Sequence, residues 1–284
     1  MSNSPCVVVG IDGSRSAVDA AVWAVEEAVS RDAPLRLVYA IDPADNGSDH
    51  EDAAHALATA EIAIRQAFTA VQASEQPVKI ELEVVQDKPI HALVAASQSA
   101  AMVCIGAVGI THAGQGVGST AAAVAKAAHC PVAIVRSAAS TSRVGILVEF
   151  DGTPNSSAVL QIGVDEARLR DVKRCMTMTW QSRLSNMYDA TAVGDRNHLA
   201  QAQPDRRITR WRRRYPELEI QTIATDTNTL DYLSAHRDSV QLVIVGAERS
   251  GGIGELADPP GLAVLADADC SLLTCDRRQR LCHS

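Results

Sequence analysis

An internal repeat is the feature that most constrains how this 284-residue chain can fold. The segment GIDGS, which contains Asp12, recurs as FDGT, which contains Asp151, 139 positions later. Three more pairs of segments recur at 139 or 140 positions: PVKIELEVVQD with PELEIQTIATD, AAMVCIGA with VQLVIVGA, and HCPVAIV with DCSLLTC. A chain that repeats at one spacing is expected to fold as two similar units. We therefore predict two domains, at 1–137 and 143–279, joined by the Ser- and Ala-rich segment RSAASTSR.

Each copy alternates short runs of Val, Ile and Leu with helical stretches. In the first copy, the runs that buried parallel strands require are at 6–11, 35–40, 78–85, 102–106 and 131–136. Between the first two runs, a helical apolar stripe is predicted from Val18, Ala21, Val22, Val25 and Val29. The predicted fold class is α/β: two tandem Rossmann-like, doubly wound domains, each a five-stranded parallel sheet flanked by helices.

Composition excludes several classes of protein. The formal net charge of -8 argues against a general nucleic-acid binder, because such affinity comes mostly from Lys and Arg. The seven cysteines form no CxxC pair and match no zinc-ligand spacing, so no metal site is predicted. No apolar run reaches the length of a membrane span, and the N-terminal stretch lacks the basic region of a secretory signal. We expect a cytoplasmic protein with no membrane contact.

A glycine-rich segment, GAVGITHAGQGVGST at 106–120, follows the fourth run and leads into an alanine-rich helix. Backbone N–H groups and the positive end of a helix dipole suit a bound anion. In doubly wound sheets, ligands bind beyond the carboxyl ends of the central strands, where Asp12 also lies. Its carboxylate could accept from a ribose hydroxyl or hold magnesium. Alternatively, the glycines only end a strand and Ser119 caps a helix, with no ligand present.

The familiar nucleotide motifs GxxxxGK[ST] and, after the first strand, GxGxxG are absent. The pattern that remains, Gly106-x2-Gly109-x8-Gly118-Ser119, resembles that of the universal stress protein family. Nucleotide-binding members of that family carry G-x2-G-x9-G-[S/T] after strand four and an aspartate after strand one. The two-copy length is similar to the tandem type common in mycobacteria. Here the loop is one residue shorter than the family pattern.

The resemblance implies that the first domain binds ATP, with magnesium as a candidate companion ion. It implies that Asp12 lies beside the adenosine, that the backbone of Ala40 meets adenine, and that the glycines approach the phosphates. The implied site is Gly10, Ile11, Asp12, Ala40, Gly106, Gly109, Gly118, Ser119 and Thr120. The expected function is that of an ATP-binding sensor or regulator in a stress or dormancy response. The alternative is a nucleotide-independent protein-interaction module of the same family.

The second copy is predicted to have lost the site. Gly246 is followed by Ala247-Glu248-Arg249 where a second glycine is expected, and Glu248 would repel phosphate. Gly261 is the candidate for the third glycine, but Leu262 follows it in place of Ser or Thr.

No catalytic residues are predicted, because the histidines are scattered and no GxSxG occurs. We therefore predict that the protein is not an enzyme. Slow ATP hydrolysis, and adenylyl transfer as a third hypothesis, stay open without a nameable general base. Six arginines between 206 and 214, around Trp211, favour a solvated helix face over nucleic-acid binding.

The apolar strands PVAIV and SLLTC would otherwise be exposed edges, so we expect them to pair between the two copies or between two chains. The resemblance implies that the last strand builds a homodimer. Any protein partner stays unidentified.

Overall fold

Ten strands form the centre of the protein. The computed structural model describes residues 5–44, 50–109, 119–136, 145–150, 156–172, 174–180, 208–225, 228–246 and 253–275. The first copy contributes β1 (Val7–Ile11), β2 (Leu35–Ile41), β3 (Ile80–Gln86), β4 (Met102–Gly106) and β5 (Val132–Val135). The second contributes β6 (Gly145–Phe150), β7 (Arg174–Trp180), β8 (Glu219–Thr225), β9 (Val240–Gly246) and β10 (Ser271–Cys275). The five runs predicted as strands in the first copy are confirmed.

Helices cover both faces of the sheet. Those of the first copy are α1 (Arg15–Ser30), α2 (His50–Gln72), α3 (Pro89–Ala96) and α4 (Ser119–Ala127). Those of the second are α5 (Ser156–Leu169), α6 at 208–214, α7 (Thr229–Ala235), α8 (Gly254–Ala257) and α9 (Pro259–Asp267). Helices α1, α2, α5 and α6 contribute to one buried cluster, and α3, α4, α7, α8 and α9 contribute to the other. In the described part of the chain, no helix is long and apolar enough to cross a membrane.

The strands form a single sheet in the order β3-β2-β1-β4-β5-β10-β9-β6-β7-β8. All pairings within each half are parallel, and β5 pairs with β10 in antiparallel orientation. The predicted α/β fold with five parallel strands per copy is confirmed. The edge pairing expected for PVAIV and SLLTC is also confirmed, and it occurs between the two copies of one chain. A homodimer stays a prediction, as do the domain boundaries.

The junction between the two halves is nearly symmetric. Ala133 of β5 pairs with Leu273 of β10, and the two residues are 140 positions apart, which is the repeat spacing. Equivalent residues therefore face each other across the junction, as they would at a two-fold axis. Only three residue pairs form this antiparallel ladder among the described residues. The helices that lie over the junction must therefore contribute to holding the halves together.

Helix α1 buries a different face from the predicted stripe. Ala21 and Val25 are buried as expected, but Val18, Val22 and Val29 are only half-buried. The buried face instead contains four more alanines, Ala17, Ala20, Ala24 and Ala28, together with the charged residue Glu27. Small side chains let the helix backbone come close to β4, and a Cβ built on Gly106 would lie 2.5 Å from the carbonyl carbon of Ser16. Close packing thus favours alanine over valine on this face.

Candidate functional site

The turn after β1 is fixed by its own side chains. Oδ1 of Asp12 accepts a hydrogen bond from the backbone N–H of Ser14, at 2.9 Å. Oγ of Ser14 in turn accepts from the N–H of Ala17, at 3.1 Å, and so caps α1. Gly13 adopts φ 84°, a left-handed conformation that glycine allows at low cost. The sequence Asp-Gly-Ser therefore forms this turn through its own hydrogen bonds.

The turn after β4 meets the turn after β1, because these two strands are neighbours. The N–H of Val108 donates to Oγ of Ser16, at 3.3 Å. A Cβ built on Gly109 would lie 2.9 Å from Oδ2 of Asp12, closer than side-chain carbons normally approach. The structure thus brings together three of the residues predicted for the site: Asp12, Gly106 and Gly109. Gly106 lies against the first turn of α1, where its missing side chain permits contact with Ser16.

Three other predicted residues lie at the same ends of β1 and β2. Gly10 is half-buried, and a Cβ on it would come within 3.0 Å of Cδ1 of Leu93 in α3. Ile11 is buried at the end of β1 and pairs in register with Tyr39. Ala40 follows, half-buried, next to Ile41, which ends β2. All three occupy the carboxyl ends of neighbouring parallel strands, where ligands of doubly wound folds bind.

The far side of the predicted site is described only in part. Thr120 is half-buried and lies with Ser119 in the first turn of α4. Gly118 and the rest of the segment 110–118, with His112, lie outside the described residues. The positions of Ser119 and Thr120 at a helix start suit both capping and anion binding.

The second copy carries a carboxylate where the first copy has a glycine. Glu149 of β6 is equivalent to Gly10, and its side chain is only 9% exposed. Its Oε2 accepts a hydrogen bond from Oγ1 of Thr229, at 3.0 Å. Glu149 belongs to no glycine loop and was not predicted, although alignment of GIDGS with the second copy places it 139 positions after Gly10. The second repeat therefore has a carboxyl group near the end of β6, at the position where the first repeat has no side chain.

Gly261 does not have the role considered for it from the sequence. It lies inside α9, and a Cβ on it would come within 2.1 Å of the carbonyl oxygen of Glu255 in α8. It is therefore a packing glycine between two short helices, and it does not belong to a loop before a helix. Gly246 is less constrained, since a Cβ there would lie 3.3 Å from Cγ2 of Val159. The segment 247–249 lies outside the described residues.

The pair formed by Ser97 and His129 has a structural role. Ser97 and His129 come within 3.5 Å, but the hydroxyl of Ser97 is buried, donates to the carbonyl of Val94 and accepts from the N–H of His129. The hydroxyl group of Ser97 thus forms its hydrogen bonds with backbone groups, one as donor and one as acceptor. Among the described residues, no group of three or more His, Cys, Asp or Glu side chains is arranged to hold a metal ion.

The arginine-rich run forms α6 where it is described. Ile208 and Tyr215 are buried and Trp211 stacks on Tyr215 with ring centroids 5.5 Å apart. Nε of Arg212 donates to the carbonyl of Ile220, at 2.7 Å, and the Arg214 guanidinium lies 5.4 Å from the centre of the Tyr215 ring. The apolar residues of the run therefore anchor the helix while its arginines cover the surface. Solvation of this face stays a prediction, since Arg206 and Arg207 lie outside the described residues.

Comparison with known proteins gives a consistent result. The model of the universal stress protein family matches residues 6–136. The chain is 45% identical over 274 residues to the universal stress protein Rv2028c of Mycobacterium tuberculosis, covering 95% of each protein. It is 39% identical to Rv3134c of the same organism, over 94% of this chain and 97% of that one. A universal stress protein structure from Archaeoglobus fulgidus has a similar fold, with a TM-score of 0.68 at 13% identity, covering 96% of this chain and 97% of that one.

Proposed function

The chain belongs to the universal stress protein family, and we propose that it binds ATP in its first repeat and acts as a nucleotide-dependent sensor or regulator. The stress or dormancy response is the proposed setting. The observation that carries the proposal is the contact between Asp12 and Gly109. A carboxylate and a glycine, whose backbone carries no side chain, meet there, beyond the ends of two neighbouring parallel strands. This is where nucleotides bind in doubly wound folds.

The chemistry of the described residues supports a nucleoside as ligand. Oδ1 of Asp12 accepts a hydrogen bond from the N–H of Ser14, and Oδ2 lies beside Gly109 in the turn after β4. A carboxylate oxygen in this place suits a ribose hydroxyl, which is a hydrogen-bond donor. A backbone approach at Gly109 and the start of α4 at Ser119 suit the phosphates. Adenine would be recognised by the backbone of Ala40.

We propose one nucleotide per chain. In the second repeat, Glu149 replaces Gly10 and Glu248 stands near the position of the second glycine in the sequence. Each adds negative charge where the first repeat has none, and phosphate would be repelled. The second repeat therefore serves as a structural or partner-facing unit. We propose that the chain is not an enzyme.

The test is to identify small molecules extracted from the freshly purified protein, and then to titrate ATP with magnesium by calorimetry. Wild type is compared with Asp12→Ala, Asp12→Asn and Gly109→Ala. Asp12→Asn keeps an oxygen that can accept the hydrogen bond from the N–H of Ser14, so it distinguishes the effect of losing the negative charge from the effect of disrupting the turn. Gly246→Ala, which substitutes a glycine at the end of β9 in the second repeat, is the control for a glycine substitution outside the proposed site.

We expect a stoichiometry near one per chain, weakened about tenfold or more in Asp12→Ala and in Gly109→Ala, and unchanged in Gly246→Ala. Two sites per chain would contradict the assignment to the first repeat. Absence of bound nucleotide and of heat at millimolar ATP would favour the second candidate, a nucleotide-independent interaction module. The observation behind that candidate is that the Ser14 hydrogen bond already accounts for Asp12 without any ligand.

A further inference from the structure

Four ionisable side chains meet on one face of the sheet, at the junction between the two repeats. Glu27 and Arg31 belong to α1 and its C-terminal end, and Glu166 and Arg170 belong to α5 and its C-terminal end. The two glutamates are 139 positions apart, and so are the two arginines. We call these four residues the junction cluster. Each repeat supplies one acid and one base from equivalent positions.

The contacts of the junction cluster cross from one repeat to the other. Within each repeat, Arg31 contacts Glu27 and Arg170 contacts Glu166. Across the junction, Nη2 of Arg170 binds Oε1 of Glu27, and Nη2 of Arg31 lies 3.9 Å from Oε1 of Glu166. The two repeats are thus linked by charged groups as well as by the short β5–β10 ladder.

Burial makes the junction cluster unusual. The side chains of Glu27 and Glu166 are 0% and 2% exposed, and that of Arg170 is 9% exposed. The Arg170 guanidinium also lies 4.3 Å from the centre of the Trp23 ring, which favours the cation further. Arg31 is 30% exposed and lies 3.9 Å from Glu166, a longer contact than that of Arg170, so water partly screens its charge. The symmetry is therefore broken: one arginine is buried at the centre and the other lies at the rim.

The two buried carboxyl groups contact the same guanidinium, Glu27 through Nη2 of Arg170 and Glu166 through Nη1, so they lie side by side around one cation. Two ionised carboxylates have no hydrogen to share and repel strongly where water is excluded, so such a pair holds one proton. Burial, with the nearby charge of Glu27, raises the pKa of Glu166 to about 8. Burial acts in the same direction on Glu27, but the charges of Arg170 and Arg31 outweigh it and hold the pKa of Glu27 below its ordinary value.

Two cysteines and a further glutamate lie near the junction cluster. Cys104 of β4 and Cys275 of β10 face it from the sheet, and burial raises the pKa of both thiols, so they remain neutral. Glu26, the exposed neighbour of Glu27 on α1, adds a negative charge that favours the cation of Arg170. The variable charge in this part of the structure is therefore that of the glutamate pair.

We propose that Glu27 and Glu166 share one proton, and that its loss loosens the junction, so that the pair is a pH-sensitive switch between the two repeats. With the proton in place, the carboxyl groups bind each other and Arg170 neutralises the single remaining charge. Without it, a second buried carboxylate is balanced only by the half-exposed Arg31. Repulsion then acts between α1 and α5, across a ladder of three residue pairs.

The experiment uses the full chain and two measurements across about pH 6 to 9. Infrared spectroscopy detects the carbonyl stretch of a protonated, buried carboxyl group. Hydrogen exchange followed by mass spectrometry measures the opening of β5 and β10, corrected for the intrinsic effect of pH and compared with β1. The variants are Glu166→Gln and Glu27→Gln, and Glu26→Gln is the control for a glutamate outside the pair.

We expect a protonated-carboxyl band in wild type and Glu26→Gln that disappears as pH rises and is absent from Glu166→Gln. Opening of β5 and β10 should increase by up to about tenfold per pH unit as pH rises towards the titration point and should level off above it, since opening releases one proton only while the closed state still holds it. Glu166→Gln should abolish this increase, because its amide donates a hydrogen bond at every pH. Absence of the band in wild type at about pH 6 overturns the shared proton. A band that titrates without any change in exchange overturns the switch.

Discussion

Glu27, in the middle of the buried face of α1, is bound by Arg170, which lies 143 positions further along the chain in the other repeat. The contact joins the two halves of the sheet on the side opposite to α4 and α9. Because both side chains are almost fully buried, each depends on the other for its charge to be tolerated.

Arg170→Ala should therefore destabilise the protein far more than the loss of a surface ion pair. Removal of one partner of a buried pair leaves an uncompensated charge and costs about 3–5 kcal/mol. Arg174→Ala is the matched control, since Arg174 is 56% exposed and binds an exposed Glu219 at 3.1 Å, a contact that solvent screens. Denaturant unfolding measures both changes. Equal, small losses in the two variants would show that the buried pair contributes no more than a surface one.

Gly106→Ala should destabilise the first repeat more than Gly246→Ala destabilises the second, although the two glycines are equivalent. A Cβ on Gly106 would lie 2.5 Å from backbone of Ser16, which cannot move without shifting α1. A Cβ on Gly246 would meet only the end of the Val159 side chain, at 3.3 Å. We expect a loss of about 1–3 kcal/mol for the first variant and less for the second, measured by thermal unfolding. A larger effect at Gly246 would contradict the packing at Gly106.

Much of the fold was predictable because its signals are local. The strand runs are short, apolar and β-branched, and the repeat fixes their number. Even the β5–β10 pairing followed from the exposure of two apolar edge strands, although the sequence left open whether one chain or two would satisfy it. One feature of the candidate site, the proximity of Asp12 and Gly109, was predictable in the same way, whereas the role of these residues in binding stays a prediction. Asp12 and Gly109 meet because the carboxyl ends of neighbouring parallel strands must lie at one edge.

The junction cluster was not predictable from periodicity. A glutamate and an arginine at i and i+4, such as Glu27 and Arg31, are typical of a solvated helix face. Glu27 is buried here because it packs against Arg170 at the end of α5, in the other repeat, and no local pattern indicates that contact. A signal existed nevertheless, because the same pair recurs as Glu166 and Arg170 at the repeat spacing. The predicted valine stripe of α1 was partly wrong for a related reason. Close approach of α1 to the sheet requires alanine, and the half-buried valines lie at the edges of the buried face.

Ser14→Ala should cost about 1 kcal/mol of stability, because it removes the side-chain oxygen that caps α1. Ser14→Asp should restore most of this loss, since aspartate is an equally good capping residue. Urea unfolding compares the three proteins. An unchanged stability in Ser14→Ala would show that water or Asp12 satisfies the N–H of Ala17 instead.

Cys104 and Cys275 should resist alkylation in the folded protein. Both side chains are buried, and burial raises the pKa of each thiol, so the reactive thiolate is scarce near neutral pH. Iodoacetamide labelling followed by peptide mass spectrometry measures each cysteine separately, with the urea-unfolded protein as the reference. Labelling of either cysteine at the rate found in urea would mean that the sheet opens readily around it.

The stability of wild type should fall relative to Glu166→Gln as pH rises through the neutral range. The pKa of Glu166 in the folded protein, about 8, lies above the ordinary value of 4.5, so the folded state binds the extra proton between these two values. Stability is therefore greatest near the lower value and is lost towards the upper one, by up to about 1.4 kcal/mol per pH unit.

The ionisation of Glu27 changes the stability in the opposite direction, and at pH values below the range that Glu166 affects. Its pKa is lowered in the folded protein, so the stability that it contributes is complete above 4.5 and is lost only as pH falls below that value. The difference between wild type and Glu166→Gln, measured by denaturant unfolding at a series of pH values, therefore isolates the proton on Glu166. Glu26→Gln should follow the wild-type profile. Parallel profiles for wild type and Glu166→Gln would mean that Glu166 is ionised throughout, with Arg31 stabilising its charge despite the 3.9 Å separation.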